Sequence, residues 1–354
     1  MIFALLALLI MIFVLPFVCK PVERNLEIFL FIIGVAGAFV SGAMGSELFQ
    51  KIFENELMYF ITVAVLVAGI AFKFLRMPLK RFVERIVRRI PLRVFIFVII
   101  VVLGVASSVI TAIISALVLS EIVNTISIDR KKKIQLTIIA CFSIGLGAVL
   151  TPIGEPLSTI VASRLNVGFF YFLQEFSIFI LPCIAGLGLL GAFMSPKTVD
   201  ECETCDTPEE LALEQSAEQE IESDESYKCI FIRTVKIFLF IIALELLGET
   251  FKPIIDAYVV GIDGQLLYWG NMVSSVMDNA TLAAAEISVK MTQTQIQAIL
   301  MGLLISGGML IPGNIPNIVS AGILKIKSKE WAKLGVPLGL ALMGVYYVVL
   351  FYLL

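Results

Sequence analysis

The sequence predicts an all-α polytopic membrane protein, built as an inverted repeat with two re-entrant hairpins and two broken helices. Of its 354 residues, 59% are apolar and 16% are charged, against about 45–50% and about 25% in soluble domains. The mean hydropathy is +0.99, and apolar runs of 17 or more residues recur along the chain. Runs of this length can cross a bilayer as helices, so the composition excludes a soluble globular enzyme.

The residue types present exclude several kinds of chemistry. The chain has no histidine, which removes the Ser-His-Asp triad, His-ligated zinc and His proton relays. Six cysteines show no framework spacing, and Cys202 and Cys205 form a lone CxxC that cannot supply four zinc ligands. We therefore expect no enzymatic activity and no cofactor. Groups that bind or release protons inside the protein must therefore be carboxylates, Lys or Tyr.

Two N-terminal spans are predicted in residues 1–56, at Ile2–Val18 and Glu27–Gly45. Ile2–Val18 has neither a basic leader nor a small-residue cleavage site, which predicts a retained span rather than a signal peptide.

The first repeat is predicted in residues 57–194 and begins with a span at Leu57–Leu75. In Arg76–Arg93, apolar residues recur at helical spacing among Lys and Arg, which predicts an amphipathic helix on anionic lipid rather than a nucleic-acid site. Arg93–Ile128 is apolar but carries a Ser/Thr cluster in its middle, which favours a hairpin of two short helices. The remaining elements are a span at Ile134–Leu150, a break at Thr151–Pro156, a short helix to about Arg164, and a span at Phe169–Met194.

An acidic linker separates the halves at residues 195–228, where Lys197 to Lys228 hold 12 acidic and 2 basic residues. With almost no aromatic residues, it cannot form a packed domain. The same order of elements then returns in residues 229–354. These elements are a span at Cys229–Leu247, a surface segment at Glu249–Gly261, a hairpin at Gln265–Lys290, a broken span at Thr294–Leu324 and a closing span at Gly335–Leu354.

The two halves also share motifs. Ser107–Thr111 aligns with Ser274–Asp278, and a Pro-x-x-x-Pro break follows each, with Pro152 and Pro312 separated by 160 positions. Internal repeats of this kind are typical of secondary transporters.

Lys and Arg in short loops predict the orientation, because they favour the cytoplasmic side. With both termini outside, 22 of 26 basic residues lie at the inner side, and the exceptions are Lys51, Arg164, Lys252 and Lys290. This arrangement predicts eight full spans in the plasma membrane and a cytoplasmic acidic linker. The first hairpin then enters from the cytoplasm and the second from outside, so the halves are inverted.

Polar residues concentrate at four interruptions, the two hairpin tips and the two Pro-x-x-x-Pro breaks. Irregular backbone is tolerated at membrane depth only where protein or a water-filled cavity surrounds it. Carbonyl groups freed by proline can bind a hard cation such as sodium. The predicted ligands are Asp278, Asn279, Glu155, Thr151, Asn314, Asn317, Ser275, Thr111, Ser108 and Ser158.

The two carboxylates, Glu155 and Asp278, decide this prediction. A charge at the bilayer centre costs about 2.5–3.5 kcal/mol, so each requires a cation, a proton or a hydrogen-bond network. Structural alternatives remain open: Asp278 as a helix N-cap, Glu155 near the headgroups, and the Asn, Ser and Thr side chains satisfying freed backbone.

At these residues the chain resembles the ion transporter superfamily. Thr151–Pro156 is similar to the break of sodium/dicarboxylate symporters and, more closely, of NhaD-type sodium/proton antiporters, whose Asp-Asn hairpin tip resembles Ser275–Asn279. Asp278–Glu286 and Gly313–Val319 resemble a prokaryotic, often archaeal, family of cation transporters whose substrate is uncharacterised. The first tip departs from the NhaD-type pattern, because Ile110–Thr111 stands where a second Asp-Asn is expected.

The resemblance and the carboxylates together predict sodium/proton antiport, in which the two ions compete for the same oxygens. Sodium-coupled symport of a small organic or inorganic anion is the alternative, and a channel or non-transporting membrane sensor is the third. The expected partners are a small inorganic cation, protons and the lipid bilayer, with a homodimer suggested by analogy and no nucleic acid.

The acidic linker supplies a test of the orientation. Because it is predicted to be cytoplasmic, Cys202 and Cys205 should react with a membrane-impermeant maleimide only after permeabilisation, in a variant whose other four cysteines are replaced. A Lys51→Cys variant, on the predicted outer side, should react in intact cells. Labelling of the linker in intact cells would reverse the predicted topology.

Overall fold

Helices account for the regular structure throughout the described chain. A computed structural model describes residues 2–19, 21–22, 25–54, 56, 58–59, 62–63, 66–67, 69–71, 73–74, 78, 90–126, 128–165, 167–196, 227–277 and 279–353. These residues form helices and connecting turns and contain no strand.

The first half contains eight helices among its described residues. They are α1 (Ile2–Val18), α2 (Leu26–Ser41), α3 (Ser46–Phe53), α4 (Leu92–Ile110), α5 (Ala112–Thr125), α6 (Arg130–Ala148), α7 (Pro156–Leu165) and α8 (Tyr171–Met194).

The second half contains six α-helices among its described residues, with shorter 3₁₀ and π segments. They are α9 (Tyr227–Ile254) with a π segment at Ile255–Val259, α10 (Gly264–Gly270) with a 3₁₀ turn at Asn271–Ser275, α11 (Asn279–Glu286), α12 (Gln293–Gly307), a 3₁₀ turn at Ile311–Gly313, α13 (Ile315–Ile323), and α14 (Ser328–Val348) with a π segment at Val349–Leu353.

Three helices of the described residues are long and apolar enough to cross a membrane, at Leu92–Ile110, Tyr171–Met194 and Ser328–Leu353. The protein is therefore a helical membrane protein, as its composition predicts. The eight-span count and the domain boundaries stay predictions. The helix Leu92–Ile110 corresponds to the first arm of the hairpin predicted at Arg93–Ile128. Its 19 residues are enough for a full membrane span.

Several predicted features lie outside the described residues. They are Asp278, residues 197–226 of the acidic linker, most of the predicted surface helix at Arg76–Arg93, and part of the predicted span at Leu57–Leu75.

Two helix ends differ from the prediction. α2 ends at Ser41 because Gly42 adopts a left-handed φ of 75° and its N–H bonds to Phe39 O at 3.3 Å, a glycine C-cap. α9 continues past Leu247 to Ile254. Ion pairs of Glu249 with Lys51 at 2.6 Å and with Lys252 at 3.8 Å accompany the charged last turns of that helix.

The core is organised around α6. Every residue from Leu136 to Ala148 is buried, as expected for a helix that is apolar around its circumference. Helices α4, α5, α8, α13 and α14 pack against it. The first Pro-x-x-x-Pro break therefore begins inside the protein, at the C-terminal end of its most enclosed helix.

Glycines allow close helix contacts outside the core as well. A Cβ at Gly34 would lie 3.0 Å from Leu246 Cβ, and a Cβ at Gly37 would lie 2.5 Å from Thr250 Cγ2. Small residues at such contacts are a common means of packing membrane helices, since the backbones can approach one another. The pair α2 and α9 is joined in this way.

Gly147 gives a stability prediction, because a Cβ there would clash with the carbonyl of Gly104 in α4. Gly147→Ala should cost about 1–3 kcal/mol through overpacking and lower the melting temperature of the detergent-solubilised protein. The matched control is Gly186→Ala in α8, where a Cβ would meet nothing within 4 Å. Equal melting temperatures for the two variants would contradict the close packing of α4 on α6.

Candidate functional site

The first predicted tip is a sharp corner between α4 and α5. Thr111 joins the two helices with φ 73° and ψ 152°, a conformation that β-branched residues rarely adopt. Its Oγ1 accepts a hydrogen bond from Ile114 N at 3.4 Å and so caps α5. Backbone strain of this kind persists where surrounding contacts impose it and is concentrated at functional sites.

Contacts of the first break impose that corner. Ala112 N donates to Gly154 O at 2.8 Å, and the Thr151 hydroxyl donates to the carbonyl of Ser108. One helical turn before the C-terminal end of α6, Ile144 O accepts from Ser107 Oγ at 2.9 Å. The first tip and the first break therefore form one hydrogen-bonded unit.

Hydroxyl groups satisfy the backbone that the first break frees. Ser158 Oγ lies 2.8 Å from both Thr151 O and Glu155 O, and Thr159 Oγ1 donates to Pro152 O at 2.7 Å. Ser158 thus has the backbone-satisfying role that the sequence left open as an alternative. Glu155 itself is buried, with 3% of its surface exposed.

The second break is stabilised by an amide. Asn317 is fully buried, and its Nδ2 donates to Gly307 O and Leu310 O, both at 2.9 Å. The second tip packs against the second break and the helix before it. Ser274 Oγ donates to Leu303 O of α12 at 3.3 Å, and a Cβ at Gly313 would clash with Ser274 O.

The last turns of α6, which lead into the first break, contact the second break. A Cβ at Gly145 would clash with Asn314 Nδ2, and a Cβ at Gly308 would clash with the ring of Phe142. The end of α6 therefore lies against the second break, while the first tip holds its other side. Both tips and both breaks consequently meet in one continuous cluster.

Two oxygens in this cluster have no hydrogen-bond donor. Asn314 Oδ1 and Asn317 Oδ1 are both buried and make no hydrogen bond, and Asn314 is 1% exposed. Leaving a buried acceptor unsatisfied costs about 1–3 kcal/mol. Amide and carbonyl oxygens are ligands that hard cations prefer. The two asparagine oxygens are therefore suited to binding a cation.

The remaining predicted ligands contribute less. Ser108 Oγ donates to Val105 O at 2.8 Å, Ser275 is half-buried, and Asn279 Nδ2 is buried without a hydrogen bond. Asp278 lies outside the described residues. Within the described ranges, no group of three or more Cys, Asp or Glu side chains is placed to hold a metal ion.

The structure adds residues that sequence reasoning missed. Ser306 Oγ donates to Asn271 O at 2.7 Å and so ties the second tip to α12, and Ser143 Oγ donates to Ile100 O at 2.9 Å and ties α4 to α6. Each is a serine in an apolar helix, close before the glycines that precede a break. This pattern is visible in the sequence and could have identified both residues.

A charged cluster lies at the other end of α7. Glu245 is buried at 7% exposure and lies 3.9 Å from Lys51 Nζ. Asp256 accepts from Lys290 Nζ and Ser288 Oγ, both at 2.8 Å, and these hydrogen bonds hold the pKa of Asp256 below its usual value.

Comparison with known proteins identifies a family. The family model described as "Protein of unknown function (DUF1646)" matches residues 2–353. The chain belongs to this family. No curated protein matches the chain. The DUF1646 match agrees with the resemblance to a family of uncharacterised substrate, while the NhaD-type and dicarboxylate resemblances stay expectations.

The two asparagines of the second break should separate structure from ligand binding. Asn317→Ala removes the donor from two buried carbonyls, so we expect a loss of about 2 kcal/mol or more and a lower melting temperature. Asn314→Ala removes an acceptor that has no donor, so its melting temperature should change much less. Thermal unfolding in detergent measures both, and a larger loss for Asn314→Ala would contradict these assignments.

Proposed function

We propose that this DUF1646 protein is a secondary active ion transporter, and that it exchanges sodium for protons. The observation that carries the proposal is the pair of buried Asn oxygens without donors, at a helix break inside a helical membrane protein. Hydrocarbon cannot satisfy such atoms, so polar side chains at membrane depth mark ion pathways. Oxygen ligands at broken helices are the usual means of binding sodium in transporters.

Equivalent contacts in the two halves support the inverted repeat with paired hairpins. A Cβ at Gly147 would approach Ser107 Oγ, and a Cβ at Gly307 would approach Ser274 Oγ. Helix packing is also reciprocal: α5 of the first half packs on α13 of the second, and α11 of the second packs on α7 of the first. We propose a pseudo-two-fold relation between the halves, which accounts for both observations.

Carboxylates provide the coupling between the two ions. Glu155 is buried at the first break, and Asp278 follows the second tip in sequence. When ionised, these groups add negative charge to the amide and backbone oxygens and bind sodium. When sodium leaves, protons neutralise them, because an uncompensated charge in the membrane is costly. Competition for the same oxygens therefore couples the two fluxes.

Charge at the cluster disfavours anion symport, the second candidate. The segments 104–111, 147–158, 271–279 and 307–317 contain two carboxylates and neither Lys nor Arg. An anion would be repelled by the carboxylates unless sodium or protons neutralised them first. A channel or non-transporting sensor, the third candidate, would use the acidic linker as a partner-binding segment.

We place the protein in the plasma membrane as a multi-pass protein with outer termini and a cytoplasmic linker. The basis is the Lys and Arg bias of the loops. A homodimer is proposed by analogy with related architectures alone.

Proteoliposomes with a luminal pH dye test the exchange. An outward or inward sodium gradient should drive proton movement in the opposite direction. Glu155→Gln and Asp278→Asn should each lower the rate at least about tenfold, since each removes a charged ligand. Glu47→Gln, which changes an exposed carboxylate in the first turn of α3, is the matched control and should retain the normal rate.

Two results would overturn the mechanism. Sodium-dependent uptake of an anion without proton movement would replace antiport with symport. A normal exchange rate in Asp278→Asn would remove Asp278 as the shared ligand, and the same result in Glu155→Gln would remove Glu155.

A further inference from the structure

The broken helix of the first half carries an arginine at each of its two ends. Arg130 is the first residue of α6, and Arg164 lies in the last turn of α7. Between them lies the first break, with Thr151 and Glu155. Both guanidinium groups donate hydrogen bonds to backbone carbonyls of the second half.

Arg164 binds the end of the second hairpin. Its Nη1 donates to Ile287 O at 3.4 Å, directly after the last residue of α11. The guanidinium packs against α9 at Gly248, where a Cβ would clash with Arg164 Nη2. The negative charges of Glu245, Glu249 and Asp256 interact favourably with this guanidinium. Arg164 thus connects α7, α11 and the long helix α9.

Arg130 makes the corresponding contact at the opposite end. Its Nη2 donates to Lys325 O at 3.0 Å and its Nη1 to Leu324 O at 3.4 Å, at the C-terminal end of α13. Lys325 adopts a left-handed φ of 52°, which ends that helix. Glu330 of α14 lies 3.7 Å from Arg130 Nη2. Arg130 thus connects α6, α13 and α14.

We infer that Arg130 and Arg164 are positioning residues that act as two gate ties, one at each end of the broken helix. This inference rests on the proposed transport function. Each tie joins the broken helix of one half to the C-terminal end of a short helix of the other half, where a cation also interacts favourably with the helix dipole. Breaking one tie while keeping the other opens the central cluster towards one side only.

The chemistry of the ties suits a reversible gate. Hydrogen bonds from a charged donor are stronger than neutral ones, and each tie also has carboxylate neighbours that retain the guanidinium when its carbonyl moves away. Arg164 keeps Glu245 and Glu249, while Arg130 keeps Glu330. A carboxylate close to each guanidinium lowers the cost of separating that guanidinium from its carbonyl.

A thiol at the first break reports which gate is open. Thr151→Cys, in a background without the six native cysteines, is treated with a membrane-impermeant methanethiosulfonate in intact cells and in inverted vesicles. Arg164→Gln should raise the modification rate from outside about tenfold, the factor expected for losing one charged hydrogen bond. Arg130→Gln should raise the rate from inside by a similar factor.

Gentler variants keep the test valid if a glutamine variant does not fold. Gly248→Ala leaves Arg164 in place but displaces its guanidinium, so it should raise the outside rate in the same direction. Glu330→Gln weakens the inner tie and should raise the inside rate. Lys252→Gln and Lys329→Gln remove exposed charges from the two ends and should leave both rates unchanged.

The outcomes separate the gates from the proposed exchange. Unchanged rates in Arg164→Gln and Gly248→Ala, or equal increases from both sides, overturn the outer tie, and the same results in Arg130→Gln and Glu330→Gln overturn the inner tie. A thiol unreactive in every variant overturns both. Side-specific increases without sodium/proton exchange in the parent protein would retain the ties and reject antiport.

Discussion

The need to satisfy backbone polar groups away from water governs this structure. Each Pro-x-x-x-Pro break interrupts a helix inside the protein, where freed carbonyls have no solvent to bind. Ser158 and Thr159 donate to those of the first break, and Asn317 donates to those of the second. Because these donors come from the helix that follows each break, the break and its continuation form a single unit with a defined geometry.

The geometry of the breaks also determines where the hairpin tips lie, because the tips form hydrogen bonds with the breaks and pack against them. At the first tip, the Ser108 carbonyl accepts a hydrogen bond from Thr151 and the Ala112 N–H donates to Gly154 O. These two hydrogen bonds impose the strained conformation of Thr111. Glycines at 104, 145 and 147 make the approach possible, because side chains there would clash with neighbouring groups. The cluster is thus held by close helix packing and by hydrogen bonds to backbone groups, and the Asn314 and Asn317 oxygens take no part in them.

Asn317 combines a satisfied donor and an unsatisfied acceptor in one side chain. Its amide nitrogen stabilises the second break, while its oxygen remains buried without a donor. The structure shows the backbone-satisfying role of Asn317, and the proposed ligand role would use a different atom of the same side chain. Ser158 differs, since its hydroxyl donates to two backbone carbonyls. The gate ties extend this pattern to charged groups, as Arg130 and Arg164 bind carbonyls at helix ends.

Hydropathy and motif spacing alone identified a helical membrane protein, placed its breaks at Thr151–Pro156 and around Pro312–Pro316, and selected polar residues that meet there. These features are local: they depend on the length of apolar runs and on proline. The partners of Arg130 and Arg164, the role of Ser306 and the burial of Glu245 could not be inferred in this way. They depend on contacts between residues far apart in the chain, which only the packing of the helices within and between the two halves decides.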